Sequence, residues 1–313
     1  MKIFVAGGAG AIGRRLVPLL LADGHDVTVS TRSAAKLAEI REQGAQAVAM
    51  DGLDRESVLS AVVPSRPEVI IHQMTAINPS FNLKKFDDEF AVTNRLRTEG
   101  TRNLLAAAAE AGTRLFVAQS YAGWPNERRG GRVKTEEDPL DPNPPKSMSR
   151  TLAAIRELED LVLKNGTLDG IVLRYGGFYG PGTSLSKDGE STKLVRQRKF
   201  PLVGAGSGVW SFIHIDDAAR ATCAAVRRPT PGIFNIVDDE PAEVRYWLPH
   251  LAGAIGAPKP FRLPAWLARP LIGEAGLSMM EQVRGSSNAK AKRTFDWTPV
   301  WTSWREGFRR GLA

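Results

Sequence analysis

The first thirteen residues constrain the fold of this chain more than any other stretch. Residues 3–6 form an apolar run that predicts a short buried strand, and the chain then turns at Gly7 and enters a helix near Ala11. Gly7, Gly10 and Gly13 fit the pattern G-x-x-G-x-x-G. In such a strand-turn-helix unit, one glycine permits the turn, one lets a pyrophosphate approach the backbone, and one lets the helix pack on the strand.

The start of the predicted helix presents free N–H groups and the positive end of the helix dipole, which together suit a phosphate. We therefore expect residues of this turn to hold a dinucleotide. They are Gly7, Gly10, Ala11, Ile12 and Gly13.

Strand-like and helix-like segments alternate from this motif to residue 237, which predicts a parallel, doubly wound sheet. The expected strands are residues 3–6, 26–30, 45–50, 68–72, 114–118, 170–174 and 232–237. The expected helices are residues 12–22, 34–43, 55–62, 149–164 and 216–227, together with one long helix over residues 87–111.

Beyond Glu240 the pattern changes to short helices broken by prolines, which predicts a smaller lobe. The expected fold class is α/β, a Rossmann-type doubly wound parallel sheet with a smaller, mainly helical C-terminal substrate lobe. We place the dinucleotide-binding domain at residues 1–175 plus about 210–238, and the substrate-binding lobe at residues 176–209 plus 239–313.

Composition narrows the classes of partner. The chain has 313 residues and a formal net charge of +8, but its Lys and Arg residues are scattered and accompany no nucleic-acid-binding motif. No segment is apolar for long enough to span a membrane, and the four histidines lack metal-ligand spacing. The single cysteine, Cys223, excludes an intrachain disulfide. We expect a cytoplasmic monomer or homodimer that binds a small-molecule substrate and no metal, nucleic acid or membrane.

Several motifs taken together resemble the short-chain dehydrogenase/reductase superfamily, in its extended branch, the NAD-dependent epimerase/dehydratase type. The resemblance covers nearly the whole chain. It rests on the glycine motif, on Asp51 in Asp-Gly-Leu-Asp, on Asn94 with GTRNLL at residues 100–105, on Ser120, on Leu173-Arg174 with YGPG at residues 179–182, and on FIHIDD at residues 212–217.

The resemblance implies a nicotinamide dinucleotide in the first domain and a substrate between domain and lobe. Asp51, with Gly52 beside it, would meet the adenine amine, although a turn or helix-cap role is the alternative. Ser120 would meet the reacting carbonyl or hydroxyl group. The stretch Gly176 to Pro181 would run beside the nicotinamide, and Tyr175 just before it would also belong to the cofactor site. All follow strands whose carboxyl ends form the ligand-binding edge of such sheets.

The chain departs from this family at its acid/base pair. The family's catalytic tyrosine and lysine lie four residues apart, and none of the four tyrosines here is followed by lysine at that spacing. In that mechanism the tyrosine exchanges a proton with the substrate oxygen as hydride moves. We expect Tyr121, next to Ser120, to be a relocated proton donor, with Tyr179 and Lys146 as further candidates.

Three functions stay open from the sequence, and a fourth, a nucleic-acid-binding role suggested by the basic composition alone, ranks last. The first is an NADP(H)-dependent oxidoreductase that acts on a small carbonyl- or alcohol-type metabolite with a non-standard proton donor. The second is an epimerase or dehydratase of nucleotide-sugar-like substrates that uses a bound nicotinamide transiently. The third is a catalytically silent NADP-binding sensor or scaffold.

The end of the second strand predicts NADP(H) as the preferred cofactor, with NAD(H) possible. NAD-specific sites place an acidic residue there for the ribose hydroxyls, about 20 residues after the glycine motif. Here Arg32 and Ser33 occupy that place, and Lys36 follows one helical turn later. An arginine suits a 2′-phosphate.

The segment over residues 121–145 is rich in proline, glycine and charged residues, and predicts a long loop. Loops of this length are commonly functional, and we expect this one to close over the site as a flap. The alternative is a rigid surface excursion.

Overall fold

A parallel sheet of seven strands forms the centre of the computed structural model, which describes residues 1–77 and 82–313. With all strands of the described residues numbered in chain order, the sheet contains β1 (Lys2–Ala6), β2 (Asp26–Thr31), β3 (Gln46–Ala49), β4 (Val69–His72), β5 (Leu115–Tyr121), β7 (Asp169–Tyr175) and β12 (Gly232–Ile236). The short strands are β6 (Val133–Lys134), β8 (Gly177–Tyr179), β9 (Leu202–Val203), β10 (Val209–Trp210), β11 (Phe212–His214), β13 (Ala242–Glu243), β14 (Arg262–Leu263) and β15 (Gly285–Ser286).

The strand order of the sheet is β3-β2-β1-β4-β5-β7-β12, and every pairing in it is parallel. The chain moves outward from β1 through β2 and β3, then returns to the other side of β1 for β4. This doubly wound order confirms the predicted Rossmann-type α/β fold. Ligands of such sheets bind where the order reverses, outside the carboxyl ends of β1 and β4.

Helices cover both faces of the sheet and make up much of the C-terminal lobe. They are α1 (Gly13–Ala22), α2 (Ala34–Glu42), α3 (Arg55–Val62), α4 (Phe86–Glu89), α5 (Ala91–Arg95), α6 (Thr101–Ala111), α7 (Ser149–Leu163), α8 (Glu190–Arg196), α9 (Ile215–Arg227), α10 (Val244–Ala254), α11 (Ala265–Glu281), α12 (Ala289–Phe295) and α13 (Trp304–Arg310).

Alternate residues of the strands fill two separate apolar cores. On one face Val5 of β1 packs in a cluster with Leu16 of α1 and residues of α9. On the other face Phe4 belongs to a cluster with Leu104 of α6 and Leu158 of α7. Because both faces are covered, the strands are apolar along most of their length rather than alternating in polarity.

The C-terminal lobe has an aromatic core of its own. The ring of Phe212 lies 5.3 Å from the rings of both Trp247 and Phe308, and Trp304 packs beside Phe308. Phe212 falls within the segment predicted to belong to the dinucleotide-binding domain, so the two parts of the molecule share this apolar contact.

The long helix expected over residues 87–111 is divided in the structure. Its first part forms α4 and α5, a π-helical turn covers Leu96–Gly100, and α6 completes it. A buried carboxylate fixes the first segment, because Asp87 accepts hydrogen bonds from the backbone and hydroxyl of Thr151 on α7. π-Helical turns are often found at functional sites.

The loop over residues 121–145 is attached to the C-terminal lobe at several points. Strand β6 within it pairs with β15. The Asn126 side-chain amide donates to the Gly285 carbonyl at 3.2 Å, and Arg128 donates to the Gln282 side chain at 2.6 Å. These contacts favour the rigid excursion over the expected flap, since closing motions require a segment with few fixed contacts.

A buried ion pair joins the carboxyl ends of β5 and β7 to helix α7. Arg174 on β7 donates to both carboxylate oxygens of Glu159 on α7, at 2.7 and 2.6 Å, and the Ser120 hydroxyl on β5 donates to Glu159 at 2.8 Å. Glu159 is 5% exposed and Arg174 is 3% exposed. The position of α7 beside the site therefore depends on this pair.

We predict that Glu159→Ala destabilises the protein by about 3–5 kcal/mol, because it leaves the Arg174 guanidinium buried without its partner. Glu157→Ala on the same helix is the matched control. Glu157 pairs with Arg102 at 2.7 Å on the surface, where a pair contributes about 1 kcal/mol or less. Urea denaturation measures both losses, and equal losses would contradict the assignment.

Candidate active site

The turn between β1 and α1 needs its three glycines for three different reasons. Gly7 has φ +81°, and a Cβ there would lie 2.9 Å from the Met74 Cα. A Cβ at Gly13 would lie 2.0 Å from the Gly8 carbonyl oxygen, so α1 could not approach the turn. A Cβ at Gly10 would have a single neighbour within 4 Å in the described structure, the Gly7 carbonyl oxygen at 3.5 Å. The protein therefore leaves the space at Gly10 open.

The turn borders a cavity of about 240 Å³ at the carboxyl ends of β1, β2 and β4. Its wall consists of the turn, the end of β2 and the segments after β3 and β4. The lining residues are Gly7, Ala9, Gly10, Ser30, Thr31, Arg32, Ser33, Lys36, Met50, Gly52, Gln73, Met74, Thr75 and Leu96. The structure thus brings together Gly7, Gly10, Arg32, Ser33 and Gly52 from the predicted cofactor-binding set.

Sequence reasoning missed the segment Gln73, Met74 and Thr75, which directly follows β4. The available signal was its position after the strand that lies next to β1, where the reversal of strand order places a ligand. Gln73 also connects the cavity to the strand behind it, because its amide donates to the Tyr175 hydroxyl at 3.3 Å.

Tyr175 and Gly176 lie behind the cavity and are not part of its lining. The Tyr175 side chain is 1% exposed, and its hydroxyl lies 2.7 Å from the Thr222 hydroxyl on α9. A Cβ at Gly176 would lie 2.7 Å from the Ser211 carbonyl oxygen. Close packing therefore explains the glycine, and a hydrogen bond from Gln73 connects Tyr175 to the lining.

Three further predicted cofactor residues lie beside the cavity. Ala11 is exposed, and the Ile12 side chain belongs to the core, so both offer a ligand mainly their backbone. The exposed Asp51 carboxylate accepts the Leu53 N–H at 3.0 Å, which is a turn contact. Asp54, not Asp51, caps α3. This geometry favours the turn alternative for Asp51.

Ser120 and Tyr121 point to opposite faces of the sheet. The sequence predicts a strand that ends at residue 118, whereas β5 continues through Tyr121, so successive side chains alternate. Ser120 is 3% exposed and donates its hydroxyl proton to Glu159. Tyr121 instead borders a small cavity between the sheet and the C-terminal lobe. The two side chains therefore do not form the adjacent pair expected from the sequence.

The small cavity beside Tyr121 has a volume of about 30 Å³ and a largely apolar wall. Its lining residues are Tyr121, Ala122, Gly123, Trp124, Val209, Trp210, Ser211, Met279 and Val283. Burial raises the pKa of Tyr121 to about 12. Trp124 continues this apolar surface toward Phe86, whose ring lies 5.3 Å from it.

The other two expected proton donors lie in unrelated surroundings. Tyr179 is fully buried in the core of the C-terminal lobe, where its ring packs against His214 and Phe308. Burial raises the pKa of the Tyr179 hydroxyl. This packing corrects its assignment as a donor to substrate. Lys146 is exposed in the short 3₁₀ turn before α7.

Helix α7 supplies no tyrosine or lysine to the site. Its first two turns carry Thr151 and Ile155, both 0% exposed, and Thr151 bonds to Asp87 and to Asn94. His72, at the end of β4, is buried, and burial lowers its pKa to about 4. α7 therefore has no tyrosine or lysine to act as acid, and His72 is neutral near neutral pH.

Comparison with known proteins agrees with this architecture. Residues 3–237 match the NAD-dependent epimerase/dehydratase family. A 3-diazoavenalumate denitrifying reductase from a Streptomyces species is 44% identical over 313 residues, which span 99% of this chain and 100% of that protein.

The chain belongs to the NAD-dependent epimerase/dehydratase family. The UDP-glucose 4-epimerase of Thermus thermophilus, solved with NAD, has 26% identity and a TM-score of 0.75, covering 100% of this chain and 98% of that one. The human epimerase family protein SDR39U1, solved with NADPH, has 19% identity and a TM-score of 0.73, covering 100% and 99%. The second likeness shows the fold alone.

The predicted membership of the extended short-chain dehydrogenase/reductase branch is confirmed, and the protein is an enzyme of the reductase and epimerase class. A nicotinamide dinucleotide is the cofactor class of this family. The open space at Gly10 and the cavity beside it fit this group, because a pyrophosphate needs close access to the backbone.

In residues 1–77 and 82–313, no group of three or more His, Cys, Asp or Glu side chains is arranged to hold a metal ion. Within the same ranges, no helix has both the length and the hydrophobicity that crossing a bilayer requires.

We predict that Gly10→Val lowers NADPH affinity at least about 100-fold while the protein stays folded, because the side chain fills the space left for the pyrophosphate. Gly253→Val is the matched control, since Gly253 lies on α10 with no atom within 4 Å of a Cβ. Calorimetric titration with NADPH measures the affinity of both variants. Unchanged affinity in Gly10→Val would remove the assignment of this cavity.

Proposed function

We propose that this enzyme is an NADPH-dependent reductase that removes the diazo group of an aryl diazonium substrate as N₂. The observation that carries the proposal is that the family's tyrosine-lysine pair is absent and that the polar side chains nearest its expected place are already engaged. Thr151 and Ile155 are buried on α7, and Ser120 is committed to Glu159. The reaction should therefore be one in which hydride transfer needs no proton from the protein.

The 44% identical relative supports the choice of substrate class. Its name states that it acts on 3-diazoavenalumate as a denitrifying reductase. A carbonyl becomes a negatively charged alkoxide when it accepts a hydride, so its reduction benefits from a proton donor. An aryl diazonium ion is a cation and becomes neutral on accepting a hydride. The lost acid/base pair is consistent with the second kind of substrate.

The proposed reaction balances without an external acid. When bound in the cavity, the reduced nicotinamide supplies a hydride, which is two electrons and one proton. The terminal nitrogen of the diazonium accepts it and forms an N–H bond. The carbon–nitrogen bond of the resulting aryl diazene then breaks, N₂ leaves, and the ring carbon takes up a proton equivalent to the one that leaves nitrogen.

The chain's own residues bind, orient and exclude water in this scheme. Gly7 and Gly10 admit the pyrophosphate. The cavity of about 30 Å³ is too small to enclose an aryl ring, so the ring would pack on the aromatic and apolar surface of Tyr121, Trp124 and Trp210 at its border. Diazonium ions are consumed by water, and an apolar cleft that excludes water protects a reactive group from that side reaction.

The direct test measures NADPH oxidation together with N₂ release and formation of the nitrogen-free arene from 3-diazoavenalumate. Stoichiometric loss of NADPH and gain of N₂ supports the proposal. Oxidation of NADPH with a panel of simple ketones and aldehydes, but not with the diazo compound, would identify a carbonyl reductase instead. Isomerised nucleotide sugar without net oxidation would favour an epimerase, and tight NADPH binding without any turnover would favour a sensor.

We also propose NADP(H) over NAD(H) as the preferred cofactor and the cytoplasm as the compartment. Arg32, Ser33 and Lys36 line the β2 end of the cavity, and no Asp or Glu is part of its lining. Arg32 is exposed. Two cations and a hydroxyl attract a 2′-phosphate, and the missing carboxylate removes a repulsion. The attraction and the absent repulsion therefore both favour NADP(H).

We predict that Tyr121→Phe keeps turnover of the diazo substrate within about threefold, because no general acid is needed in the proposed reaction. If Tyr121 were the proton donor of a carbonyl reductase, the same change would lower kcat by about 10²–10⁴. Tyr246→Phe, at an exposed tyrosine of the lobe, is the control. Steady-state kinetics on 3-diazoavenalumate and on any accepted ketone decide between these outcomes.

We predict that Arg32→Ala weakens NADPH binding by about tenfold to a hundredfold and changes NADH binding little, since a hydrogen bond to a charged group contributes about 1.5–3 kcal/mol. Arg309→Ala removes an exposed arginine from α13 and serves as the charge control. Titrations at physiological salt measure the ratio of the NADPH and NADH affinities for each protein. Wild-type protein that binds both cofactors equally would contradict the NADP preference.

A further inference from the structure

Arg97 is a buried arginine without a carboxylate partner among the described residues. It is 8% exposed and lies in the π-helical turn Leu96–Gly100. Its Nη1 donates to the Asn94 side-chain oxygen at 3.1 Å, and its guanidinium lies 5.9 Å from the centre of the Phe90 ring. Within residues 1–77 and 82–313 it forms no salt bridge, and this hydrogen bond is its only one from the side chain.

The two other buried Lys and Arg side chains of the described chain are both neutralised. Arg174 pairs with Glu159, and Lys134 pairs with Asp138 at 3.1 Å. Glu159 is the acidic group that acts on Arg97 through space, but its two oxygens already accept Arg174 and Ser120. A buried charge normally requires a partner, so the position of Arg97 is unexplained by contacts within the described chain.

Two neighbours connect Arg97 to the site. Leu96, the preceding residue, lines the cofactor cavity. Phe90 stacks on Phe86 at 4.6 Å, and Phe86 contacts Trp124 of the apolar wall. Arg97 is therefore next in the chain to a residue of the cofactor cavity, and its guanidinium contacts an aromatic stack that reaches the apolar wall.

We propose that Arg97 binds a carboxylate of the substrate and so makes the enzyme selective for aromatic carboxylic acids over their neutral analogues. The inference rests on the proposed function only for the group that is reduced. The negative charge of the ligand is inferred from Arg97 itself. A guanidinium presents five N–H donors in a plane and binds a carboxylate through two of them. In the described structure, Arg97 donates one hydrogen bond, to Asn94, so donors remain for a carboxylate.

The proposal assigns the anion to the substrate and not to the cofactor. The pyrophosphate has the glycine turn, and the 2′-phosphate has the Arg32 end of the same cavity. Burial lowers the pKa of Arg97 to about 10, so the side chain remains cationic at neutral pH. In a site of low polarity such a cation attracts a carboxylate more strongly than it would in water.

The test measures ligand binding without turnover. Protein saturated with NADP⁺ is titrated calorimetrically with 4-hydroxycinnamate and with its methyl ester, which differ only at the carboxyl group. We expect wild type to bind the acid about tenfold to a hundredfold more tightly than the ester. Equal affinity, or no measurable binding of the acid at millimolar concentration, would overturn the proposal.

Two variants assign the preference to Arg97. Arg97→Met keeps an apolar side chain of similar length and should bind acid and ester equally, with NADPH affinity unchanged. Arg95→Met, two residues earlier, removes an exposed arginine that pairs with Glu99 and should keep the preference. Retained preference in Arg97→Met, or an equal loss of NADPH affinity, would overturn the assignment.

Kinetics then separate this inference from the proposed function. With 3-diazoavenalumate, Arg97→Met should raise KM by about tenfold to a hundredfold and change kcat much less, as expected when uniform binding is lost. A wild-type enzyme that does not reduce the diazo compound but prefers 4-hydroxycinnamate over its ester would contradict the proposed function and support the role of Arg97. If Arg97→Met does not fold, the comparison of acid with ester on wild type still decides whether the site selects an anion.

Discussion

Helix α1 lies against the turn after β1 at a distance that no side chain at residue 13 would permit. The position of a Cβ there falls 2.0 Å from the Gly8 carbonyl oxygen. This contact places the start of α1 directly over the carboxyl end of the sheet, and it leaves Gly10 at the border of the cavity. The remaining cofactor-binding segments follow from strand order, because β2 and β4 both lie beside β1.

A second polar contact determines what the neighbouring part of the site can do. The Glu159–Arg174 pair takes the hydroxyl of Ser120, and the continuation of β5 through Tyr121 turns the next side chain to the other face. The family's usual chemistry needs a hydroxyl and a tyrosine that address one substrate oxygen together. Here that arrangement is replaced by a buried ion pair on one side and an apolar wall on the other. The proposed electrophile, which accepts hydride without a proton, rests on this arrangement.

The sequence predicted a structural feature correctly where a residue type at a given spacing has a single physical explanation. The spacing of Gly7, Gly10 and Gly13 predicts the turn, and the alternation of apolar runs with amphipathic segments predicts the parallel sheet. Arg32 and Ser33 were found because they follow a strand next to the glycine motif, and both line the cavity. The same reasoning did not find Arg97, because an arginine inside a long helical pattern is ordinarily a solvated residue.

The sequence by itself therefore determined the fold, the place of the cofactor cavity and the absence of a tyrosine-lysine pair, since these depend on local spacing and on residue identity. Only the tertiary structure decided which polar groups are already engaged. Ser120, Tyr175 and Tyr179 are available in the sequence, but each is held by partners or packing more than thirty residues away. Arg97, in contrast, is left without a carboxylate partner, because the buried Glu159 near it is bound to Arg174. Hydrogen bonds and burial between distant segments assign these roles, and no short-range pattern records them.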